Sequence, residues 1–272
     1  MTQERREHAF TAVDDQADPR AWVDVLDRMR EEPAYRAYKT RVAELLQPVR
    51  GFRYLEVGCG TGDDAIAFAA RFGVEVAGVD VSRTMVEEAR RRGLEQAVVA
   101  DAAALPLDAE SFDGAWADRT FQHLAGPEIA LAELVRIVKP GGRIVAVDPD
   151  YDTQVVDVAD QELARRVLRF RADHALRNGT LAHRMGGFFA EAGLTDVSIE
   201  AIPVVLRDPT ALDGAMGLRT WAATAAERGL LSEEDVPAWE RQLDDAVAKG
   251  RFLYSFALFL TAATRGDNTR PA

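Results

Sequence analysis

Eight residues decide the fold: Leu55-Glu56-Val57-Gly58-Cys59-Gly60-Thr61-Gly62. The run Arg53–Val57 has strand character, and three closely spaced glycines carry the chain from it into a helix, Asp63–Phe72, with acidic residues in its first turn. Gly73 stands just past that helix, where a terminating glycine belongs. Glycine has no Cβ, so a strand that ends this way brings bare backbone against a ligand. The spacing discriminates further. A dinucleotide fingerprint is G-x-G-x-x-G, whereas this loop is G-x-G-x-G with Glu56 two residues before the first glycine. A carboxylate there repels a pyrophosphate and suits a ligand with an ammonium group and no phosphate.

The same rhythm repeats downstream. Residues 74–79 read as a strand closing on Asp80, and Ser82 caps a helix that runs to Arg92. Residues 97–100 form a strand closing on Asp101, 112–117 another, and 128–138 a helix stopped by Lys139-Pro140-Gly141-Gly142 before a strand over 143–147. Strand and helix alternate, and several strands are apolar throughout, which is the pattern of a parallel sheet covered on both faces. Upstream, 20–47 reads as two helices, with Pro33 at a first helical position and Val42, Leu45 and Leu46 as an apolar stripe. Beyond Asp150 the rhythm changes: helices over 159–178 and 181–192, a strand over 196–206, a helical stretch over 210–249 and a β-rich run over 252–264.

Bulk composition limits the function classes. At 272 residues, 47% hydrophobic and 29% charged, the chain suits one full α/β domain with a modest cap. The formal charge of -12 argues against holding nucleic acid by phosphate neutralisation and against docking on anionic lipid. No apolar run is long enough to span a membrane, and the polar N-terminus does not read as a secretory signal. The single cysteine, Cys59, makes no internal disulfide, so a reducing cytoplasm is the expected location.

Three acids fall at successive strand tips: Glu56, Asp80 and Asp101. At the second tip a carboxylate can accept both hydroxyls of a ribose, and at the third it could accept from an adenine amino group. The competing reading makes them helix-capping or solvated turn acids.

With these segments in order, the chain resembles the class I S-adenosylmethionine-dependent methyltransferases, in the broad UbiE/menaquinone-type and small-molecule group. The resemblance rests on LEVGCGTG (55–62), GVDVSRTMVEEAR (78–90), DAAALPLDAESFDGAW (101–116) and ELVRIVKPGGRIVAVDPD (133–150). It implies a Rossmann-like, doubly wound, mostly parallel seven-stranded sheet with an antiparallel last strand, plus N-terminal helices and helical cap insertions. It implies an N-terminal helical lid over 1–50, a cofactor-binding core over 51–150, and cap helices with sheet-completing strands over 151–272, all in one domain. Glu56, Gly58, Cys59 and Gly60 would then lie along the methionine and ribose of S-adenosylmethionine, with Asp80 on the ribose, Val81 and Met85 beside adenine, and Asp101 with Ala102 at its edge. The implied reaction is methyl transfer to O, N or C of a small-molecule acceptor, in bacterial specialised or quinone-type metabolism.

Ligands of open α/β sheets sit outside the carboxyl ends of the strands, so the segments after the fourth and fifth strands should face the methyl group and its acceptor. Asp118 and Arg119 are expected at the methionine head or the substrate, and Asp150 and Tyr151 at the substrate. His123 either takes a proton from the acceptor or packs at the start of the next helix. His174 and His183, on the cap, are weaker candidates for that role. Tyr35 and Tyr38 either close over the cofactor or pack the N-terminal helix, with Tyr38 carried as a substrate contact. Phe188, Phe189, Trp221 and Trp239 could wall an aromatic or isoprenoid-like acceptor, or belong to the core. The Asp148-Pro149-Asp150-Tyr151 segment is superficially similar to the N/D-P-P-Y motif of amino methyltransferases, but departs at the second proline and follows the wrong strand. No divalent ligand set is visible, so no metal is expected. Three rival functions remain: a cofactor-binding enzyme that catalyses cyclisation or elimination, a non-catalytic binding protein, and a nicotinamide-dependent oxidoreductase. The glycine spacing and Glu56 disfavour the last.

Overall fold

The structure is a computed structural model, and it describes residues 12–31, 33–212 and 217–267. Seven strands form one sheet: β1 (Arg53–Val57), β2 (Glu75–Asp80), β3 (Ala97–Val99), β4 (Phe112–Asp118), β5 (Val138–Val156), β6 (Leu194–Leu206) and β7 (Tyr254–Arg265). Their order is β3-β2-β1-β4-β5-β7-β6. Pairings among β1 to β5 are parallel, while β7 runs antiparallel between β5 and β6. The expected doubly wound sheet with an antiparallel last strand is present. The strand order reverses at β1 and β4, and the carboxyl ends of those strands open a crevice.

Helices cover the sheet: α1 (Ala21–Glu31), α2 (Pro33–Leu46), α3 (Asp63–Phe72), α4 (Arg83–Arg92), α5 (Pro127–Ile137), α6 (Gln161–Phe170), α7 (Met185–Glu191), α8 (Leu218–Glu227) and α9 (Asp235–Ala248). Local chemistry sets their ends. The Ser82 side chain accepts from the Met85 amide at 3.2 Å and starts α4, Pro127 opens α5, and Gly73 closes α3 on the Ala69 carbonyl.

Strand alternation divides the core. Leu55, Val57, Ala115, Ala117, Ile144 and Ala146 pack with α5 and α7 on one face. Tyr54, Trp116, Val145 and Val147 face α2, α3 and the cap helices on the other. Glu56 shares the second face. Among the described residues no helix is long and apolar enough to cross a membrane.

Several elements differ from the sequence reading. The fifth strand spans 19 residues, because pairing with β7 carries it through Pro149 to Val156. The helix expected over 159–178 ends at Phe170 and continues as one π-helical turn, Arg171–Ala175. The stretch 210–249 divides into α8 and α9 around a turn at Gly229. Part of the expected lid, 1–11, lies outside the described residues.

Candidate functional site

A cavity of about 910 Å³ opens at the carboxyl ends of β1, β2 and β4, a size suited to a nucleoside-sized ligand with a second small molecule. The glycine loop forms its floor. The amides of Gly58 and Cys59 donate to the Val79 carbonyl at 2.8 and 2.9 Å, which ties the loop to β2. Gly58 has φ +72°, and a Cβ there would stand 2.2 Å from Thr120 Oγ1. Thr120 Oγ1 in turn donates to the Val57 carbonyl at 3.0 Å. The glycine is therefore demanded by the protein's own close approach of β1 to the turn after β4, as well as by any ligand.

Asp80 accepts from the Gly60 amide through Oδ2 and from the Ser82 amide through Oδ1, each at 2.9 Å. Each carboxylate oxygen retains a further acceptor site, and burial pushes the Asp80 carboxyl up. Exposed Val81 and buried Met85 line the cavity beside it. Asp101 and Ala102 lie on its rim, with Asp101 Oδ1 accepting from the Ala103 amide at 2.9 Å. The two readings of Asp101 thus coexist: it caps its own turn and faces the cavity.

Glu56 is buried beneath the loop. Its Oε1 accepts from Trp116 Nε1 at 3.0 Å, and its Oε2 has no hydrogen-bond partner among the described residues. Burial, reinforced by repulsion from Asp64, raises its carboxyl well above the usual range. An orphaned buried carboxylate oxygen is costly unless a donor comes to it. It fits an ammonium group arriving in the cavity, and with Asp80 and the bare loop it makes the residues present compatible with S-adenosylmethionine.

Lys39, on α2, belongs to the site although no local sequence pattern marks it. Its ammonium pairs with both Asp118 and Asp64. Burial opposes its charge, but Asp118 and Asp64 outweigh that and hold its pKa above the ordinary lysine value. Tyr38 is fully buried, with its hydroxyl donating to Asp118 at 3.0 Å, so it positions Asp118 and does not line the cavity. Tyr35 does line it, 4.8 Å from the Arg119 guanidinium. Only the partner acids could have signalled Lys39, and they lie 25 and 79 residues away in sequence.

Other lid contacts follow the same long-range logic. Arg92 pairs with Asp27 of α1 and Asp63 of α3, both at 2.7 Å. Asp14 accepts from Ser82 Oγ at 2.9 Å and the Arg83 amide at 2.7 Å, fixing the N-terminal segment beside Val81. The helices above the glycine loop are therefore pinned by salt bridges. Leu26, Met29, Tyr35 and Lys39 are among the parts of them that reach the cavity.

At the acceptor end, Arg119 and His123 line the cavity. Arg119 has φ +52°, a strained conformation for a non-glycine residue, secured by its amide donating to the Val147 carbonyl at 2.6 Å. The fifth-strand segment divides by alternation. Pro149 and Tyr151 face the cavity, while Asp148 and Asp150 are buried away from it. Asp150, expected at the substrate, instead accepts from the His183 amide at 3.0 Å and contacts His183 Nδ1 at 2.5 Å. Asp150, Asp152 and His183 bring ligand-type atoms within 4.8 Å of one another, a grouping the sequence did not reveal. Asp152 is already taken by Arg169 at 2.9 Å.

His174 stacks on Phe170 outside the cavity. Phe189, Trp221 and Trp239 are core residues, with Trp239 Nε1 donating to the Leu218 carbonyl, and none of them, nor Phe188, lines the cavity. Tyr35, Phe68, Phe72, Trp116, Tyr151 and Phe256 supply its aromatic surface instead.

Comparison with known proteins agrees with this fold. The methyltransferase domain family matches residues 55–146. A 37.1 kDa protein of transposon Tn4556 from Streptomyces fradiae, itself uncharacterised, is 34% identical over 89% of this chain and 70% of its own length. The demethylmenaquinone methyltransferase of Clavibacter sepedonicus is 38% identical over 40% of this chain and 45% of that one, so the chain spans under half of that relative. The YcgJ protein of Bacillus subtilis has the same fold, with a TM-score of 0.59 over 85% of this chain and 98% of that chain at 18% identity. Residues 55–146 form a methyltransferase domain of the class I S-adenosylmethionine-dependent kind.

Proposed function

We propose that the protein transfers a methyl group from S-adenosylmethionine to an oxygen, nitrogen or carbon atom of a small-molecule acceptor, in bacterial specialised or quinone-type metabolism. The observation that carries this reading is the unpartnered Glu56 Oε2 beneath the glycine loop. The name of the Clavibacter sepedonicus relative supports the quinone-type assignment.

In this reading Glu56 and Asp118 face the ammonium of the donor and Lys39 faces its carboxylate. Gly58, Cys59 and Gly60 allow close approach, Asp80 takes the ribose hydroxyls, Val81 and Met85 pack on adenine, and Asp101 with Ala102 meets its edge. When bound, the sulfonium supplies an electrophilic methyl with a neutral leaving group. The protein's task is then alignment and exclusion of water. Helices α1 and α2 cover the cavity, Arg119 and Tyr151 orient the acceptor, and His123 accepts a proton where the acceptor must lose one.

The test is incubation with methyl-labelled S-adenosylmethionine and a panel of small phenols, amines and prenylated quinols. Label transfer that disappears in Asp80→Ala supports the reading. Donor binding without transfer to any acceptor points to non-methylating chemistry on the same cofactor.

A further inference from the structure

The acceptor end of the cavity holds an arginine, Arg171, that pairs with no carboxylate among the described residues. Arg171 sits where α6 passes into its π-helical turn, a local widening often found at functional sites. Its guanidinium lies 4.8 Å from the Tyr151 ring and 4.6 Å from the Trp221 ring. Its Nη2 is 3.5 Å from the Tyr151 hydroxyl, and its Nε is buried with no hydrogen-bond partner among the described residues.

The contrast with its neighbours is informative. On the same helix, Arg166 pairs with Asp235 at 2.8 Å and Arg169 with Asp152 at 2.9 Å. The chain carries 45 acidic against 33 basic residues, so carboxylates are plentiful. A guanidinium that packs against aromatic rings keeps its in-plane donors free for a planar or tetrahedral oxyanion. Arg119 lines the same cavity and shares its charge with Asp118 at 3.6 Å, leaving its own Nε without a hydrogen bond. Tyr151, Pro149 and Phe256 give the adjoining wall an apolar character.

We propose that the methyl acceptor is an oxyanion-bearing small molecule, a carboxylate or phosphate group on an apolar body, and that Arg171 holds the oxyanion. Tyr151 packs against the body and Arg119 adds a further positive charge to the same cavity. This rests on the methyl-transfer reading of the cavity, and it narrows that reading to a substrate class.

Matched pairs of probes test it in the complex with S-adenosylhomocysteine. Calorimetric titration compares benzoate with benzamide, and phenyl phosphate with phenol. At least one anion should bind about tenfold or more tightly than its neutral partner, the loss expected for an unmade charge-assisted hydrogen bond. Whichever pair shows the preference names the oxyanion. Arg171→Gln should abolish the preference, and Arg171→Lys should keep part of it, with S-adenosylhomocysteine affinity and thermal midpoint unchanged in both. The lysine variant separates a charge requirement from a packing defect.

Equal binding within both pairs, no binding of either anion at millimolar concentration, or a preference that survives in Arg171→Gln overturns the proposal. Failure of S-adenosylhomocysteine to bind overturns the underlying reading, and the proposal with it.

Discussion

The ammonium of Lys39, on the helix that covers the cavity, lies against the carboxylate of Asp118 at the tip of β4. This pair joins lid to floor, and Asp64 and the Tyr38 hydroxyl complete it. Removing one partner leaves the other charge in a poorly solvated place, which costs more than the pair's net contribution. Lys39→Met and Asp118→Asn should each lower the thermal midpoint and speed amide exchange in α2. The double variant should be less unstable than the sum by a coupling of about 1–3 kcal/mol. Strict additivity in a double-mutant cycle would remove this contact from the account of the lid.

Glu56 supplies a proton-linked signature. Burial, with Asp64 nearby, holds its carboxyl well above the usual range. An arriving ammonium favours the ionised form and lowers that pKa, so binding near neutral pH should release a fraction of a proton. Titrations of S-adenosylhomocysteine in buffers of different ionisation enthalpy measure the release. It should vanish in Glu56→Gln, and buffer-independent heats in the parent would contradict the assignment.

Gly58 should not tolerate a side chain. Its positive φ and the 2.2 Å approach of Thr120 Oγ1 act together, so Gly58→Ala should destabilise by about 2–3 kcal/mol in denaturant unfolding. Thr120→Ala in the same chain relieves the clash but not the backbone strain, and should recover only part of the loss. Full stability of Gly58→Ala would show that the loop readjusts freely.

Asp148 should impose a pH-dependent cost. It is buried, its Oδ2 has no partner among the described residues, and burial raises its carboxyl well above the usual range. The folded state therefore holds this proton more tightly than the unfolded chain. Stability on this account falls as pH rises above the unfolded value of about 4 toward the folded one. Asp148→Asn keeps an acceptor for the Gln122 amide and removes the cost. Its gain in thermal midpoint should be larger at pH 8 than at pH 4. An equal gain at both would contradict the assignment.

What the sequence revealed and what it hid divide by range. The β1–loop–α3 unit was legible because apolar strand, glycines and acidic first turn are contiguous, and the repeat of that pattern fixed the parallel order. The length of β5 was not, since Pro140-Gly141-Gly142 and Asp148-Pro149-Asp150 read locally as breaks, while pairing of Val138 with β4 holds one end and pairing with β7 carries the strand past Pro149. Asp150 was misplaced because strand alternation, invisible across a supposed turn, sends Pro149 and Tyr151 to the cavity instead. Lys39, Thr120 and Arg171 gave no signal, because each acquires its meaning only from residues far away in the chain or from the lack of one.

Titration calorimetry with S-adenosylhomocysteine, on the parent chain and on Asp80→Ala, tests the central claim most directly. The parent should bind one equivalent with micromolar affinity, weakened about tenfold or more when the Asp80 carboxylate is lost. No binding by the folded parent, or equal affinity in Asp80→Ala, would contradict it.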